Sequence, residues 1–162
     1  VYSWLLPSRA NAIAFPQSNK LTDRLINEQR EFMGIKIIYT GEAIKKVLQC
    51  LHRNEIVGFL ADQDARGDGI FVNFFGRPAS TNKGPVVFAL KTGAPVLMTF
   101  IIRQKDDTHI FVIEPEINIE KTGDKDRDIL VNTQKWSDIL EKYIRKYPEQ
   151  WFWVHRRWKT QP

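Results

Sequence analysis

Ile56-Val57-Gly58-Phe59-Leu60-Ala61-Asp62-Gln63-Asp64-Ala65-Arg66-Gly67-Asp68-Gly69 is the stretch that decides the fold class. Ile56 to Ala61 is an apolar run of strand length, which reads as a buried strand opening onto an acidic, glycine-punctuated loop. Upstream, Glu42 to His52 places Ile44, Val47, Leu48 and Leu51 on one helical face, with Lys45, Lys46 and Arg53 on the wet side. Ile35 to Tyr39 reads as another strand, and Asn19 to Phe32 as a helix with Asn19 as N-cap and Gly34 as its stop. Strands alternating with helices of about a dozen residues point to βαβ units. The expected class is α/β, with a mixed, largely parallel sheet flanked by helices and the functional loops gathered at the carboxyl ends of the strands.

Downstream, the loop runs into the aromatic segment Ile70-Phe71-Val72-Asn73-Phe74-Phe75-Gly76. A helix is expected from about Lys83 to Lys91, capped by Thr81 or Asn82 and ended by Gly93. Pro95 to Arg103 and His109 to Ile113 resemble two paired strands joined by a short polar hairpin. Asn118 to Asp128 reads as a charged connection, and Asp128 to Tyr147 as a long helix ending before Pro148.

With 162 residues, 43% of them hydrophobic and 27% charged, the chain suits one domain, 1–162. It opens at Val1, and Val1 to Leu6 is too short and uncharged for a signal peptide, so the start reads as a cut end. The apolar stretch Pro85 to Ile102 is broken at Lys91, Gly93 and Pro95, which favours a helix and a strand over a membrane span. A single cysteine, Cys50, excludes an internal disulfide and reads as a packed thiol. The net charge of +5 is compatible with an anionic partner and does not choose among nucleic acid, acidic lipid and phosphorylated substrates.

Chemistry is expected from a few places. Asp62, Asp64 and Asp68 suggest a calcium loop, but an EF-hand needs an oxygen donor where Arg66 stands and a glutamate where Asn73 stands, and the segment follows a strand rather than a helix, so no metal site is assigned. Asp62 and Asp64 read either as a solvated turn or as carboxylates at a cleft mouth that orient a histidine or hold a hydroxyl. Five residues after His52, His109 and His155 stand Val57, Glu114 and Thr160, so no histidine has an aspartate at His-X4-Asp spacing. No Gly-Lys-Ser/Thr phosphate loop and no Cys-His cluster is present. The tail Pro148 to Lys159 interleaves Trp151, Trp153 and Trp158 with Arg156, Arg157 and Lys159. That pattern suits base stacking, a membrane interface, or packing of the tryptophans against the sheet with Arg156 and Arg157 left at the surface.

Four blocks occur together and in order: Ala61-Asp62-Gln63-Asp64, Gly69 to Ala79, Gly84-Pro85-Val86-Val87-Phe88-Ala89-Leu90 with Thr92-Gly93-Ala94-Pro95-Val96, and Pro148 to Lys159. With Phe15 to Asp23 and Arg30, they resemble the bacterial lipid A biosynthesis acyltransferases, of the lysophospholipid acyltransferase superfamily, over nearly the whole chain. Phe15 departs from that pattern, standing where family members commonly carry an arginine.

The resemblance implies an acyltransferase-like α/β fold, N-terminally truncated, with the catalytic His-X4-Asp dyad expected upstream of Val1 and this chain inactive alone. It implies Asp62 and Asp64 in supporting roles beside the catalytic histidine. Arg30, Gly76, Thr81 and Lys83 are implied substrate contacts, Arg30 to a phosphate or carboxylate and the others along the acceptor or thioester channel. Trp151, Trp153, Arg156, Arg157 and Trp158 are implied at the membrane interface. The implied reaction moves a fatty acyl chain from acyl carrier protein or coenzyme A to a hydroxyl of a lipid A precursor or related glycolipid, without a cofactor. The implied location is the cytoplasmic face of the bacterial inner membrane, with no nucleic acid involved. The alternative is a non-catalytic membrane- or nucleic-acid-binding module using the basic aromatic C-terminus.

Overall fold

The computed structural model describes residues 10–162, so the opening Val1 to Leu6 lies outside the described residues. The chain divides into two compact units, one ending at Leu60 and the other beginning at Ala61.

In the first unit, β1 (Ala10–Ala14), α1 (Lys20–Phe32), β2 (Ile35–Tyr39), α2 (Ala43–His52) and β3 (Ile56–Gly58) follow one another. The sheet order is β2-β1-β3, with both pairings parallel. Asn19 caps α1 as expected, its Oδ1 accepting from the N–H groups of Leu21 and Thr22 at 2.9 and 3.1 Å. α2 buries Val47 and Cys50, and Ile38 of β2 is buried in the same unit. Two expectations shift here. The strand expected over Ile56 to Ala61 stops at Gly58, and the central strand β1 has no counterpart in the periodicity. Asn11, buried in β1, donates to Ile56 O and to Glu55 Oε2, both at 3.1 Å, and so fastens β1 to the start of β3.

In the second unit, β4 (Ile70–Phe74) and β5 (Arg77–Thr81) form an antiparallel hairpin. Its two-residue loop, Phe75 and Gly76, has positive φ at both positions (54° and 75°), the geometry of a type I′ turn. α3 (Gly84–Thr92) ends at Gly93 with φ +75°, and β6 (Thr99–Arg103) pairs antiparallel with β7 (His109–Ile113). The long helix α4 (Lys125–Lys146) starts earlier than expected, because Asp124 caps it by accepting from Asp126 and Arg127. Phe74, Ala79, Val86, Ile117, Trp136, Leu140 and Ile144 form the core, with Trp151 and Trp158 packed on it. The fold is mixed α/β: among the described residues the parallel arrangement is confined to β1, β2 and β3, and the other two sheets are antiparallel.

The stretch read as mere connection is strapped to α4. Thr122 donates from both N and Oγ1 to Asp128 Oδ1 at 2.8 and 2.7 Å, and Lys135 Nζ donates to Asn118 O at 2.7 Å. The fully buried Asn132 accepts from Glu120 N and donates to Glu120 O, both at 2.8 Å. Two further amides make the same double pairing with one residue's main chain: Gln134 with Asn73 at 2.8 and 2.8 Å, and Gln150 with Arg103 at 2.9 and 3.0 Å. Among the described residues no helix is long and apolar enough to cross a membrane.

Candidate functional site

The acidic loop after β3 is held by residues far away in sequence. The Asp64 N–H donates to His155 Nε2 at 2.8 Å, and Thr160 Oγ1 donates to Asp64 Oδ2 at 2.9 Å. The Ala65 N–H donates to Ser80 O at 3.1 Å, and Ser80 Oγ donates to Arg66 O at 2.5 Å. Gly69 closes the loop against β5 so tightly that a Cβ there would stand 2.2 Å from Ser80 Oγ and 2.9 Å from Thr81 N. Only glycine fits that approach without displacing the hydroxyl that ties down Arg66.

Arg157 sits beneath this loop at 1% exposure. Its Nη1 donates to Ser80 O and its Nη2 to Thr81 Oγ1, both at 2.5 Å, and its guanidinium lies over the Phe74 ring, 5.0 Å from the centroid. Burial pulls its pKa below the usual arginine value, and the charges of Asp64 and Asp62 oppose that pull. The expectation that Arg157 reaches the surface is therefore corrected: both Nη groups find neutral acceptors and the charges of Asp64 and Asp62 compensate the buried cation in part, while Nε has no partner among the described residues.

The other tail residues divide. Trp151 and Trp158 each lie 5.8 Å from Phe74, and Trp158 Nε1 donates to Phe74 O at 3.3 Å, so both turn into the core rather than toward a membrane. Phe152, Trp153 and Val154 stand out at 58%, 50% and 82% exposure, with Arg156 and Lys159 exposed nearby in the chain. Tight turns set this segment, through His155 N to Phe152 O and Lys159 N to Arg156 O, each 3.1 Å. Phe152 and Val154 join Trp153 in the exposed set, where the resemblance implied Trp151 and Trp158.

Two of the expected contact residues, Gly76 and Thr81, have structural reasons to be what they are. Gly76 supplies the positive φ of the hairpin loop, and Thr81 is fully buried as the partner of Arg157. Lys83 is exposed where α3 begins, while Asn82 Oδ1 accepts from Gly84 N at 2.8 Å. His109 and Glu114, the nearest approach to the dyad spacing, are not brought together. They bracket β7, where an odd separation turns side chains to opposite faces, and Glu114 accepts from the Tyr143 hydroxyl.

A second cluster lies in the first unit, at the carboxyl ends of β1 and β2. A groove of about 570 Å³ is lined by Gln17, Lys20, Asp23, Arg24, Asn27 and Tyr39 among others. Asp23 organises it, accepting from Gln17 N at 2.8 Å and from Asn27 Nδ2 and Tyr39 Oη at 3.2 Å each. Arg30 connects through Asn27, its Nη1 donating to Asn27 Oδ1 at 3.1 Å. This polar cleft at strand carboxyl ends is the usual place for ligands in open α/β sheets.

The chain is similar to known proteins along nearly its whole length. The model of the bacterial lipid A biosynthesis acyltransferases matches residues 7–160. The Escherichia coli lipid A biosynthesis palmitoleoyltransferase is 28% identical over 150 residues, 91% of this chain and 47% of that protein. The lauroyltransferase of the same organism is 29% identical over 153 residues, covering the same shares. A Mycobacterium tuberculosis phosphatidylinositol mannoside acyltransferase is 26% identical over 135 residues, 81% of this chain and 41% of its own length. The chain thus spans about half the length of the curated relatives it matches.

Proposed function

Because the chain belongs to the bacterial lipid A biosynthesis acyltransferase family, we propose that it forms part of an enzyme that moves a fatty acyl chain onto a hydroxyl of a lipid A precursor. The observation that carries this reading is the family match from residue 7 to residue 160, which includes the Asp62-X-Asp64 loop and the segment that pins it. The phosphatidylinositol mannoside relatives favour a related glycolipid as the second acceptor to test.

In this reading the donor is an acyl thioester on acyl carrier protein or coenzyme A. A neutral histidine takes the acceptor's hydroxyl proton as the oxygen attacks the thioester carbonyl and the thiolate leaves. That histidine, with its aspartate, belongs to sequence upstream of Val1, and the 162-residue chain by itself transfers nothing. Asp62 and Asp64 support the histidine's cleft. Lys20 brings a cation to the groove and Arg30 one to its Asn27 wall, where an acceptor phosphate would bind; Arg24 is already paired with Glu28 at 2.6 Å, and Asp23 and Glu31 also line the groove.

The exposed Phe152-Trp153-Val154 ridge with Arg156 and Lys159 suits an acidic bilayer surface, aromatic and apolar side chains entering the headgroup layer and cations meeting lipid phosphate. The corresponding location is the cytoplasmic face of the inner membrane.

The test is an acyl transfer assay with purified acyl carrier protein thioester or acyl coenzyme A and a lipid A precursor, read as an added acyl mass. The chain joined to its upstream coding sequence should yield product, and the 162-residue chain alone should not. Product from the short chain would overturn the upstream dyad, and no product from either chain with any donor or acceptor would overturn the reaction.

A further inference from the structure

The two aspartates of the acidic loop are not equivalent. Asp64 is tied on both sides, by the His155 ring to its main-chain N–H and by the Thr160 hydroxyl to Oδ2. Its other oxygen, Oδ1, is buried without a hydrogen-bond partner among the described residues, and it shares its surroundings with the guanidinium of Arg157. Asp62 is half-buried, precedes the exposed Gln63, and makes no hydrogen bond among the described residues. One carboxylate is built into the scaffold and the other is presented by it.

We infer that Asp64 is a positioning residue, clamped by His155 and Thr160 across separations of 91 and 96 residues, and that Asp62 is the carboxylate this clamp presents to the reacting groups. The geometry explains why the C-terminal segment and the acidic loop belong to one device. The Arg157 fork anchors the segment to Ser80 and Thr81, and Ser80 in turn fixes Ala65 and Arg66 at the loop's far side. Loosening the segment therefore frees the loop from both ends. Because His155 accepts through Nε2, its ring proton must sit on Nδ1, and an acceptor of similar reach would serve equally well. This inference rests on the proposed acyl transfer for its kinetic consequence but not for the clamp.

The experiment uses the intact protein with its upstream segment, in two measurements. Amide hydrogen exchange at residues 62–66 reports the clamp, and kcat and KM for the acyl donor report the reaction. His155→Ala and Thr160→Val should speed exchange at Asp64 by about tenfold, the scale of one lost hydrogen bond. They should lower kcat by a similar factor with KM little changed, and His155→Gln should restore both. Asp62→Asn should lower kcat by about a hundredfold while leaving exchange as in the wild type. Unchanged exchange in both His155→Ala and Thr160→Val overturns the clamp. Asp64→Asn costing as much kcat as Asp62→Asn with unaltered exchange, or Asp62→Asn without effect, overturns the division of roles. If the wild type transfers nothing, the proposed reaction fails, and the exchange data still decide the clamp.

Discussion

Tyr143 donates its phenolic hydrogen to Glu114, bracing the last turn of α4 against the chain just beyond β7, while its ring stacks on Phe100 with centroids 3.7 Å apart. The hydrogen bond, aided by burial, pushes the Tyr143 pKa up to about 12. A phenol whose folded pKa is raised contributes stability that is complete below its unfolded value near 10 and is lost as pH rises through the folded one. Spectrophotometric titration should therefore show a late tyrosine step near 12 that is missing in Tyr143→Phe. The wild type should lose stability between about pH 10 and 12 more steeply than the variant.

Glu55 has the opposite sign. Arg53 and then Asn11 hold its carboxyl down at about 2. A depressed acid contributes stability that is present above its unfolded value near 4.5 and is lost as pH falls through 2. Glu55→Gln should flatten the fall in unfolding midpoint over that range, measured by thermal melts at successive pH values. An unchanged acid limb would disconnect Glu55 from the stability of the first unit.

Arg157→Met should lower unfolding free energy by about 2–4 kcal/mol, because Ser80 O and Thr81 Oγ1 each lose a charge-assisted donor in a buried place. Arg157→Lys should recover only part of it, since one ammonium cannot reproduce the planar fork. Denaturant melts of the three proteins decide this, and a lysine variant as stable as the wild type would contradict the role of the fork.

Replacing Phe152, Trp153 and Val154 together by serine should abolish most binding to phosphatidylglycerol vesicles in a sedimentation assay, with a thermal melt alongside because Trp153 Nε1 also donates to Pro148 O and its ring packs on Trp151. Arg156→Glu with Lys159→Glu should weaken binding mainly at low salt, where the Debye length is long. Equal binding by wild type and triple variant would remove the ridge from the membrane.

The sequence announces those elements whose cause is local. α1 is visible because Asn19 caps it and Gly34 stops it, and the break in the apolar run falls at Gly93 because that residue has positive φ. β1 was not visible, since Ala10-Asn11-Ala12-Ile13-Ala14 has no strand preference of its own and becomes a strand through its two parallel neighbours. β5 hid behind Pro78, which is tolerated there opposite Asn73. At the site, the acidic loop was legible from its composition. The burial of Arg157 was not, because a charge reads as surface unless its acceptors are known, and these lie 76 and 77 residues away.

The three side-chain amides that each embrace one residue's main chain carry a consequence for ageing. Gln134 and Gln150 occupy outward main-chain groups of the two small antiparallel sheets, at Asn73 and Arg103, where an open edge would invite a strand from another molecule. Hydrolysis of either amide to a carboxylate removes the N–H donor and leaves oxygen facing oxygen. A single slow chemical event, with no mutation, would then unlatch the edge it guards.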